Sequence, residues 1–392
     1  MTRHWVLPEY VDDVLPGEAA QIEGLRRLLL DRFATHGYGL VIPPMIEHIE
    51  SLLTGTGHDM DLCTFKLVDQ LSGRLLGIRA DITPQVARID AHLLNDVGVT
   101  RLAYCGTVLH AQPAAMSSSR EIVQLGAEIF GHGGVESDIE IQSLMLEGLA
   151  ATGLEGIHLD LGHVGLFRSL CRHGEIPAEL EGDLFQALQG KDVPTLRSLT
   201  SSLSGATREA VLQLPELFGG MEVLARARAV LPAYPGLVPC LDQLQAIGEA
   251  LESRVEALLF DLAELRGYHY HSGVVFAAYS SASVNVVARG GRYDEVGRAF
   301  GRARPATGFS LDLRGLAAVL SPPARPVPIR APYSPDISLA TLISRLRAEG
   351  EIVITELPGE RAPGGGLLPA RELCLVDGQW RVVSRDSLPS GT

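Results

Sequence analysis

Alternation of apolar and polar residues predicts two consecutive strands in the first third of the chain. The stretch "YCGTVLHAQP", which begins at Tyr104, is typical of a strand that runs into a loop. Gly106 and Val108 share a face with Tyr104, and His110 comes next on it, because side chains in a strand alternate between faces. The uncharged loop 111–119 is followed by "EIVQLGAEIFG", which repeats the alternation. The pair predicts a β-hairpin that has no cation at its turn.

The second of these strands carries polar side chains on one face. Gln124, Gly126 and Glu128 lie on that face, where a carboxylate and an amide beside a glycine provide donors, acceptors and space. The opposite face is apolar and consists of Val123, Leu125, Ala127 and Ile129. Two interpretations stay open, a solvated outer face of a half-buried sheet or a site for a small cationic ligand with an amino group.

The segment "RADIT" shows the same alternation upstream of the hairpin. Arg79, Asp81 and Thr83 fall on one face if this segment is a strand. It adds a second carboxylate to the polar residues of this region.

Helical periodicity surrounds the strand-rich region. Residues 17–36 predict an amphipathic helix closed by Gly37, and "PQVARIDAHLLND" predicts another between strands. From about 172 to 260 the chain is rich in Leu, Ala and Glu with helical spacing, which predicts a helical insertion. Strand patterns return at "YHYHSGVVFAAY" and "NVVARGG". Residues 1–320 therefore predict an α+β core, an antiparallel sheet with flanking helices and one helical insertion.

A Pro-rich segment, residues 321–335, separates this core from the end of the chain. Such composition is typical of a linker. Residues 336–392 contain one helix pattern, one strand pair and the Gly-rich loop "PGGGL". They predict a small C-terminal module.

Composition and charge exclude several classes of protein. The formal net charge of −14 argues against a large nucleic-acid surface, which depends on Lys and Arg. The five cysteines are scattered without a CxxC pair, so we expect neither a disulfide framework nor a zinc site. Free cysteines are typical of a reducing compartment, so we expect a cytoplasmic location. No signal-peptide core and no apolar run of membrane-spanning length is found.

Motifs for common cofactors are absent. The sequence contains no GxGxxG after a strand, GxxxxGKS, HExxH or GxSxG, and "GGRYD" at 290–294 is typical of a tight turn. In "RGYHYHSG", His269 and His271 share a face two residues apart, but a metal site needs at least one more ligand. We therefore expect no metal and no cofactor.

Five segments, in order, resemble the catalytic core of histidyl-tRNA synthetases over roughly residues 5–320. The resemblance implies the class II aminoacyl-tRNA synthetase-like fold, with a mainly six-stranded antiparallel sheet. It also implies a self-dimer formed through the first motif, around Pro43 and Pro44. The segments are "GYGLVIPPMIEHIESL", "TFKLVDQLSGRLLGIRADITPQVARI", "YCGTVLHAQP…REIVQLGAEIFG", "RGYHYHSGVVF" and "GGRYDEVGRAFGRARPATGFSLDLRGL".

The chain differs from this family at the positions of the second and third motifs that bind ATP in the synthetases. His110 stands in place of the second-motif Arg, and Gln112 in place of the acidic residue that follows it. In the third motif Gly315 occupies the position of the family's Arg, and Arg314 comes one position early, so it should point elsewhere on the helix. A neutral His lacks the permanent charge and the bidentate fork of Arg, so adenylation should be lost by orders of magnitude.

The amino-acid side of the resemblance is better preserved. It implies a histidine-binding site in which Asp81 stands where the family has Glu in "RPEGT" and Thr83 matches the Thr of that motif. Gln124 and Glu128 match residues that meet the amino group and the imidazole. His271 replaces a family Tyr and His269 a family Asp, which leaves the imidazole end open. The implied histidine-binding residues are Asp81, Thr83, Gln124, Glu128, Arg266, Tyr270 and His271.

The tail is too short for the anticodon-binding domain of the synthetases. A histidine pocket without adenylation chemistry resembles the family of ATP phosphoribosyltransferase regulatory subunits, which are synthetase paralogues. The resemblance implies a non-catalytic chain that activates the short catalytic ATP phosphoribosyltransferase subunit in a hetero-octamer, with L-histidine as feedback effector and with no tRNA or membrane partner. Alternatives are a divergent histidyl-tRNA synthetase, a sensor or ligase for another amino acid, and a scaffold without ligand.

Overall fold

The computed structural model describes residues 6–55, 58–113, 119–268, 270–322, 327–359 and 371–384. His269 and the loop "PGGGL" lie outside these ranges. The chain divides into two compact units, Met1–Ser321 and Pro322–Thr392, which are described separately. None of the helices in the described part of the chain has the length and apolarity needed to cross a bilayer.

The first unit contains twelve strands within its described residues. In chain order they are β1 (Gly39–Val41), β2 (Ile46–His48), β3 (Phe65–Val68), β4 (Leu75–Ile78), β5 (Thr100–Leu109), β6 (Glu121–Phe130), β7 (Ile157–His163), β8 (Phe218–Gly219), β9 (Ala257–Asp261), β10 (Val274–Ser280), β11 (Ser283–Arg292) and β12 (Ala306–Asp312).

Nine of these strands form one sheet in the order β1-β5-β6-β12-β11-β10-β7-β9-β8. Within this order, the six neighbouring strands β5-β6-β12-β11-β10-β7 are all antiparallel, as the resemblance implies. β1 and β9 add to either side in parallel, so the complete sheet is mixed. Strands β2, β4 and β3 form a separate small antiparallel sheet.

Helices flank the large sheet, which confirms the α+β class. Those of the first unit are α1 (Pro16–Thr35), α2 (Ile49–Leu52), α3 (His58–Cys63), α4 (Thr83–Arg88), α5 (Val135–Ala151), α6 (Val164–His173), α7 (Ala178–Gln189), α8 (Val193–Leu199), α9 (Gly205–Gln213), α10 (Glu222–Val230), α11 (Leu237–Leu251) and α12 (Leu313–Val319). A π-helical segment, Ile89–Leu94, extends α4, and short 3-10 turns lie at Thr200–Ser202, Leu214–Glu216, Glu252–Arg254 and Val296–Phe300.

The main hydrophobic core lies on one face of the large sheet. Helices α1, α5 and α12 pack there, and the predicted apolar side chains Leu125, Ala127 and Ile129 are buried beneath them. Phe33 of α1 meets Phe309 of β12 edge to face, with ring centroids 5.7 Å apart. The opposite face carries a smaller cluster with α4, and this leaves room there for a cavity.

Three predictions of local structure are wrong. Residues 79–83 are not a strand, because β4 ends at Ile78 and Asp81 accepts a hydrogen bond from the backbone N–H of Thr83, where α4 begins. Gly290 and Gly291 are not in a turn but inside β11, where the Gly308 carbonyl and the His271 ring approach closely. The segment before β10 forms turns and not a strand, since Tyr270 and His271 donate backbone hydrogen bonds to the Gly267 carbonyl.

In its described residues, the second unit has a four-stranded sheet and one helix, α13 (Ile337–Ala348). The sequence predicts one strand pair here, and that pair is β15 (Arg371–Val376) with β16 (Gln379–Ser384). The other two strands, β13 (Ile329–Ala331) and β14 (Val353–Thr355), pair in parallel. Three residues are too few to show a period of two, so the sequence pattern does not reveal them.

Candidate ligand-binding site

A cavity of about 950 Å³ opens over the polar face of the large sheet. Six of the seven residues implied by the family resemblance line this cavity, and Gln124 does not. The six are Asp81, Thr83, Glu128, Arg266, Tyr270 and His271. The strand register places Glu128 there, because residues directly opposite one another in an antiparallel pair share a face, whereas the other five lie at the start of α4 and in the segment before β10. Glu128 lies opposite Gly308, and Gly308 pairs with β11 opposite Gly291.

Glu128 lies at the floor of the cavity, 1% exposed. The Tyr104 hydroxyl donates to Oε1 at 3.0 Å and the Tyr293 hydroxyl donates to Oε2 at 2.5 Å. Burial raises the pKa of Glu128 to about 8, although the two hydroxyls stabilise the carboxylate and act in the opposite direction. The carboxyl group therefore keeps its proton near neutral pH and can donate it to a basic ligand.

Small residues on neighbouring strands make room for this carboxyl group. A Cβ atom at Gly308 would overlap Glu128 Oε2 and lie 2.7 Å from the carbonyl oxygen of Ala127. A Cβ atom at Gly126 would likewise overlap the hydroxyl of Tyr104. The polar floor thus depends on glycine at both positions.

Asp81 and Gln124 form one hydrogen-bonded unit at the start of α4. Gln124 Nε2 donates to Asp81 Oδ1 at 2.8 Å, and Gln124 Oε1 accepts from the backbone N–H of Ile82 at 2.9 Å. Gln124 is therefore a supporting residue beneath the cavity and does not line it. This arrangement holds the carboxylate of Asp81 toward the cavity. The hydroxyl groups of Thr83 and Tyr104 form a hydrogen bond, with their oxygens 2.9 Å apart.

The loop that closes one side of the cavity is anchored to the helical insertion. The Tyr268 hydroxyl donates to Glu181 of α7 at 2.6 Å, and its ring packs 5.4 Å from that of Phe185. Arg168 of α6 lies over the same ring, 4.7 Å from its centroid, and donates to the Tyr268 carbonyl. Helices α6 and α7 therefore fix the position of the loop that carries Arg266, Tyr270 and His271.

Tyr270 and His271 place aromatic side chains above Glu128. Their rings meet edge to face with centroids 5.3 Å apart, and Tyr270 lies 5.2 Å from Tyr293. Neither the Tyr270 hydroxyl nor His271 Nδ1 has a hydrogen-bond partner among the described residues. Burial lowers the pKa of His271 to about 4, so its ring is neutral and offers a nitrogen lone pair.

In the β5–β6 hairpin, which corresponds to the phosphate-binding motif of the synthetases, the polar side chains contact other groups of the protein. His110 Nε2 lies 3.0 Å from the Ala80 carbonyl oxygen, and Arg120 donates to the His110 carbonyl while its guanidinium lies over the Phe65 ring. Arg314 reaches back to Ser119 Oγ at 3.5 Å and to the Glu121 carbonyl at 3.4 Å. Arg120 follows the uncharged loop 111–119 and Arg314 approaches it from α12, and both arginines contact main-chain or hydroxyl groups of the protein.

The sequence pattern does not identify several of the residues at the cavity as site residues. Tyr293 is hidden in "GGRYD", and Gly308 and Arg289 belong to strands with no polar alternation around them. Tyr104 stands in the predicted hairpin, on the face where a partner for Glu128 is expected, so the register of the hairpin could have identified it. Within the described residues no three His, Cys, Asp or Glu side chains could hold a metal ion.

Solved structures place this architecture in a known class. A crystal structure described as an ATP phosphoribosyltransferase regulatory subunit/histidyl-tRNA synthetase from Bacillus halodurans has a TM-score of 0.81 and 28% identity, covering 91% of this chain and 94% of that one. A histidyl-tRNA synthetase from a Nostoc species has a TM-score of 0.76 at 16% identity over 97% of both chains, which shows the fold alone. The fold is that of the histidyl-tRNA synthetase-like class II proteins.

Family models and curated relatives narrow this class. Residues 10–316 match the family model Histidyl-tRNA synthetase, and residues 326–383 match the model ATP phosphoribosyltransferase subunit HisZ C-terminal domain. An ATP phosphoribosyltransferase regulatory subunit from Cupriavidus taiwanensis is 56% identical over 385 residues, 98% of this chain and 100% of the relative. Its counterpart from Ralstonia pickettii is 56% identical over 387 residues. The chain belongs to the family of ATP phosphoribosyltransferase regulatory subunits.

Proposed function

We propose that this chain regulates a short catalytic ATP phosphoribosyltransferase subunit and binds L-histidine in the cavity as the feedback effector. Membership of the regulatory-subunit family supports the partner. The observation that carries the histidine site is a buried Glu128 between two tyrosine hydroxyls, with the Asp81 carboxylate in the same cavity. An amino acid with a basic side chain matches both groups.

Each polar group of histidine has a partner in this proposal. The ammonium group binds Asp81, whose Oδ1 is fixed by Gln124 and Thr83. The imidazole, with an ordinary pKa of about 6.5, meets Glu128 and shares its proton. Tyr270 and His271 close the pocket over the imidazole. The loop anchored on α6 and α7 then conveys occupancy to the rest of the subunit, because a ligand shifts a conformational equilibrium only through contacts that differ between its states.

The proposal assigns no catalytic residue and no cofactor to this chain. His110 and Gly315 occupy positions where the synthetases have phosphate-binding arginines, and the described arginines of the hairpin contact the protein itself. We further propose a cytoplasmic hetero-octamer with the catalytic subunit, a self-dimer through the region around Pro43 and Pro44, and a separate C-terminal module that begins before residue 336, because β13 belongs to its sheet.

Replacing Asp81 by Asn should weaken L-histidine binding by about 10- to 100-fold, the usual value of a hydrogen bond to a charged group. The Asn side-chain oxygen can still accept from Thr83 and Gln124, so the loop keeps its shape. Calorimetric titration of the purified chain, alone and with the catalytic subunit, measures the affinity. Asp242→Asn is the control, since Asp242 forms a surface ion pair with Arg228 at 2.7 Å.

The same pair of variants tests the regulatory role. In the complex, Asp81→Asn should shift the histidine concentration that inhibits the catalytic subunit upward by the same factor as the affinity, while Asp242→Asn should leave it unchanged. Equal inhibition curves for wild type and Asp81→Asn would place the effector outside this cavity.

ATP–pyrophosphate exchange dependent on histidine should remain at background for the wild-type chain. Adenylation requires cations that hold the α-phosphate in the transition state, and we expect none to be free for it in the hairpin. A histidyl-tRNA synthetase run in parallel is the positive control. Exchange well above background would show that this chain is a divergent synthetase.

A further inference from the structure

A second arginine faces the cavity from the middle of the large sheet. Arg289 of β11 lies directly opposite Ala277 of β10 and Ser310 of β12, and Ala277 in turn lies opposite Asp160 of β7. All four line the cavity. Because directly paired residues share a face, they form one row of side chains that projects from the same face as Glu128.

Two arginines line the cavity among the described residues, and they differ in their partners. Arg266 is engaged, since its Nε lies 3.1 Å from Glu264 Oε2 and its Nη1 lies 3.3 Å from the Tyr279 hydroxyl. Arg289 is exposed and makes no hydrogen bond or ion pair with a described residue. The guanidinium that is free to take a ligand is therefore that of Arg289.

A bound amino acid requires a cation at this place. With its ammonium group at Asp81 and its imidazole at Glu128, the α-carboxylate has no partner among the groups assigned so far. Asp160 and Glu264 also line the cavity, and they would repel a carboxylate. A carboxylate moved out of water is tolerated only when a charge or several donors compensate it, and the arginine fork fits both of its oxygens.

The sheet register sets a suitable distance. Arg289 is separated from Glu128 by two strand spacings and by two residues along the strand, which is about 12 Å between Cα atoms at ordinary strand dimensions. The Glu128 carboxyl group lies over Gly308, on the strand between them, and an arginine side chain is long enough to contact a ligand in the rest of this gap. Gly308 and Gly291 lie on the row next to Arg289, and their missing side chains make room for the Glu128 carboxyl group and the His271 ring.

We infer that Arg289 receives the α-carboxylate of the bound amino acid and makes the cavity selective for the free acid over its alcohol and amine analogues. The inference rests on the proposed function.

Titration of three ligands against two variants tests this role. The ligands are L-histidine, L-histidinol, in which CH₂OH replaces the carboxylate, and histamine, which lacks it. Arg289→Ala should weaken L-histidine binding by about 10- to 100-fold and leave the two analogues within about threefold of wild type. Arg289→Lys should recover part of the loss, because it keeps the charge without the fork. Arg298→Ala, at an exposed pair with Glu295, controls for surface charge.

The outcomes separate this inference from the proposed function. Equal losses for all three ligands would show that Arg289 shapes the pocket without touching the carboxylate, and a selective loss in Arg266→Ala in place of Arg289→Ala would assign the role to Arg266. Wild-type histidine binding that Arg289→Ala does not change overturns the inference alone. A wild-type chain that binds no histidine, alone or with the catalytic subunit, overturns the proposed function and the inference together.

Discussion

Gly308→Ala is expected to abolish histidine binding and to lower the free energy of unfolding of the first unit by about 3 kcal/mol or more. The new methyl group would occupy the place of Glu128 Oε2 and lie 2.7 Å from the Ala127 carbonyl oxygen. The glutamate cannot move aside cheaply, because Tyr104 and Tyr293 hold both of its oxygens in a buried site. Chemical denaturation measures the stability, and calorimetry measures the binding.

Two further variants make this result specific. Gly24→Ala, at a helical position of α1 where nothing lies within 4 Å of the new methyl group, should stabilise by about 0.5 to 1 kcal/mol. Adding Glu128→Ala to Gly308→Ala should restore part of the stability but none of the histidine affinity, since the overlap with the carboxyl group disappears. A Gly308→Ala protein with wild-type stability and affinity would mean that Glu128 does not lie beneath residue 308.

The polar face of β6 is predictable because it depends on one strand alone. A period of two residues separates Gln124 and Glu128 from Leu125, Ala127 and Ile129 whatever the neighbours are, and one apolar face suffices to orient the strand. The face that the pattern leaves open to solvent is in fact buried. Burial of this polar face arises from α4 and the loop before β10, which are distant in sequence.

Most of the remaining site depends on contacts between distant segments. The Tyr293 hydroxyl meets Glu128 across 165 positions of sequence, through the pairing of β6, β12 and β11. Neither the glycine at 308 nor the free guanidinium of Arg289 has a local signal, because each matters only through the strand placed beside it. The resemblance to synthetases supplies residues such as Arg266, but in the structure this arginine pairs with Glu264.

The fold of residues 79–83 shows how a local pattern misleads. Alternation in "RADIT" predicts a strand face with Arg79, Asp81 and Thr83 together. In the structure Arg79 donates to the Pro43 and Thr107 carbonyls, while the Asp81 carboxylate accepts from the Thr83 N–H where α4 begins. Capping by Asp and a following proline are helix-start signals that compete with alternation.

Glu128→Gln should change how the stability of the protein depends on pH. The pKa of Glu128 is about 8 in the folded protein, above its ordinary value of 4.5, so the folded state binds more protons than the unfolded state between these values. The contribution of Glu128 to stability is therefore fully present below pH 4.5 and is lost as the pH rises toward 8. Over that window the loss is on the order of 5 kcal/mol, at 1.36 kcal/mol for each pH unit.

The difference in free energy of unfolding between Glu128→Gln and wild type isolates this effect. Other titrating groups are common to both proteins, so the difference should move in favour of Glu128→Gln as the pH rises from 5 to 8. Glu23→Gln is the control, because Arg26 and Arg27 lower the pKa of Glu23 to about 2 and it stays ionised throughout this range in both states. Its difference from wild type should be constant. A flat difference for Glu128→Gln as well would show that Glu128 is ionised in the folded protein, and histidine would then meet a carboxylate and not a proton donor.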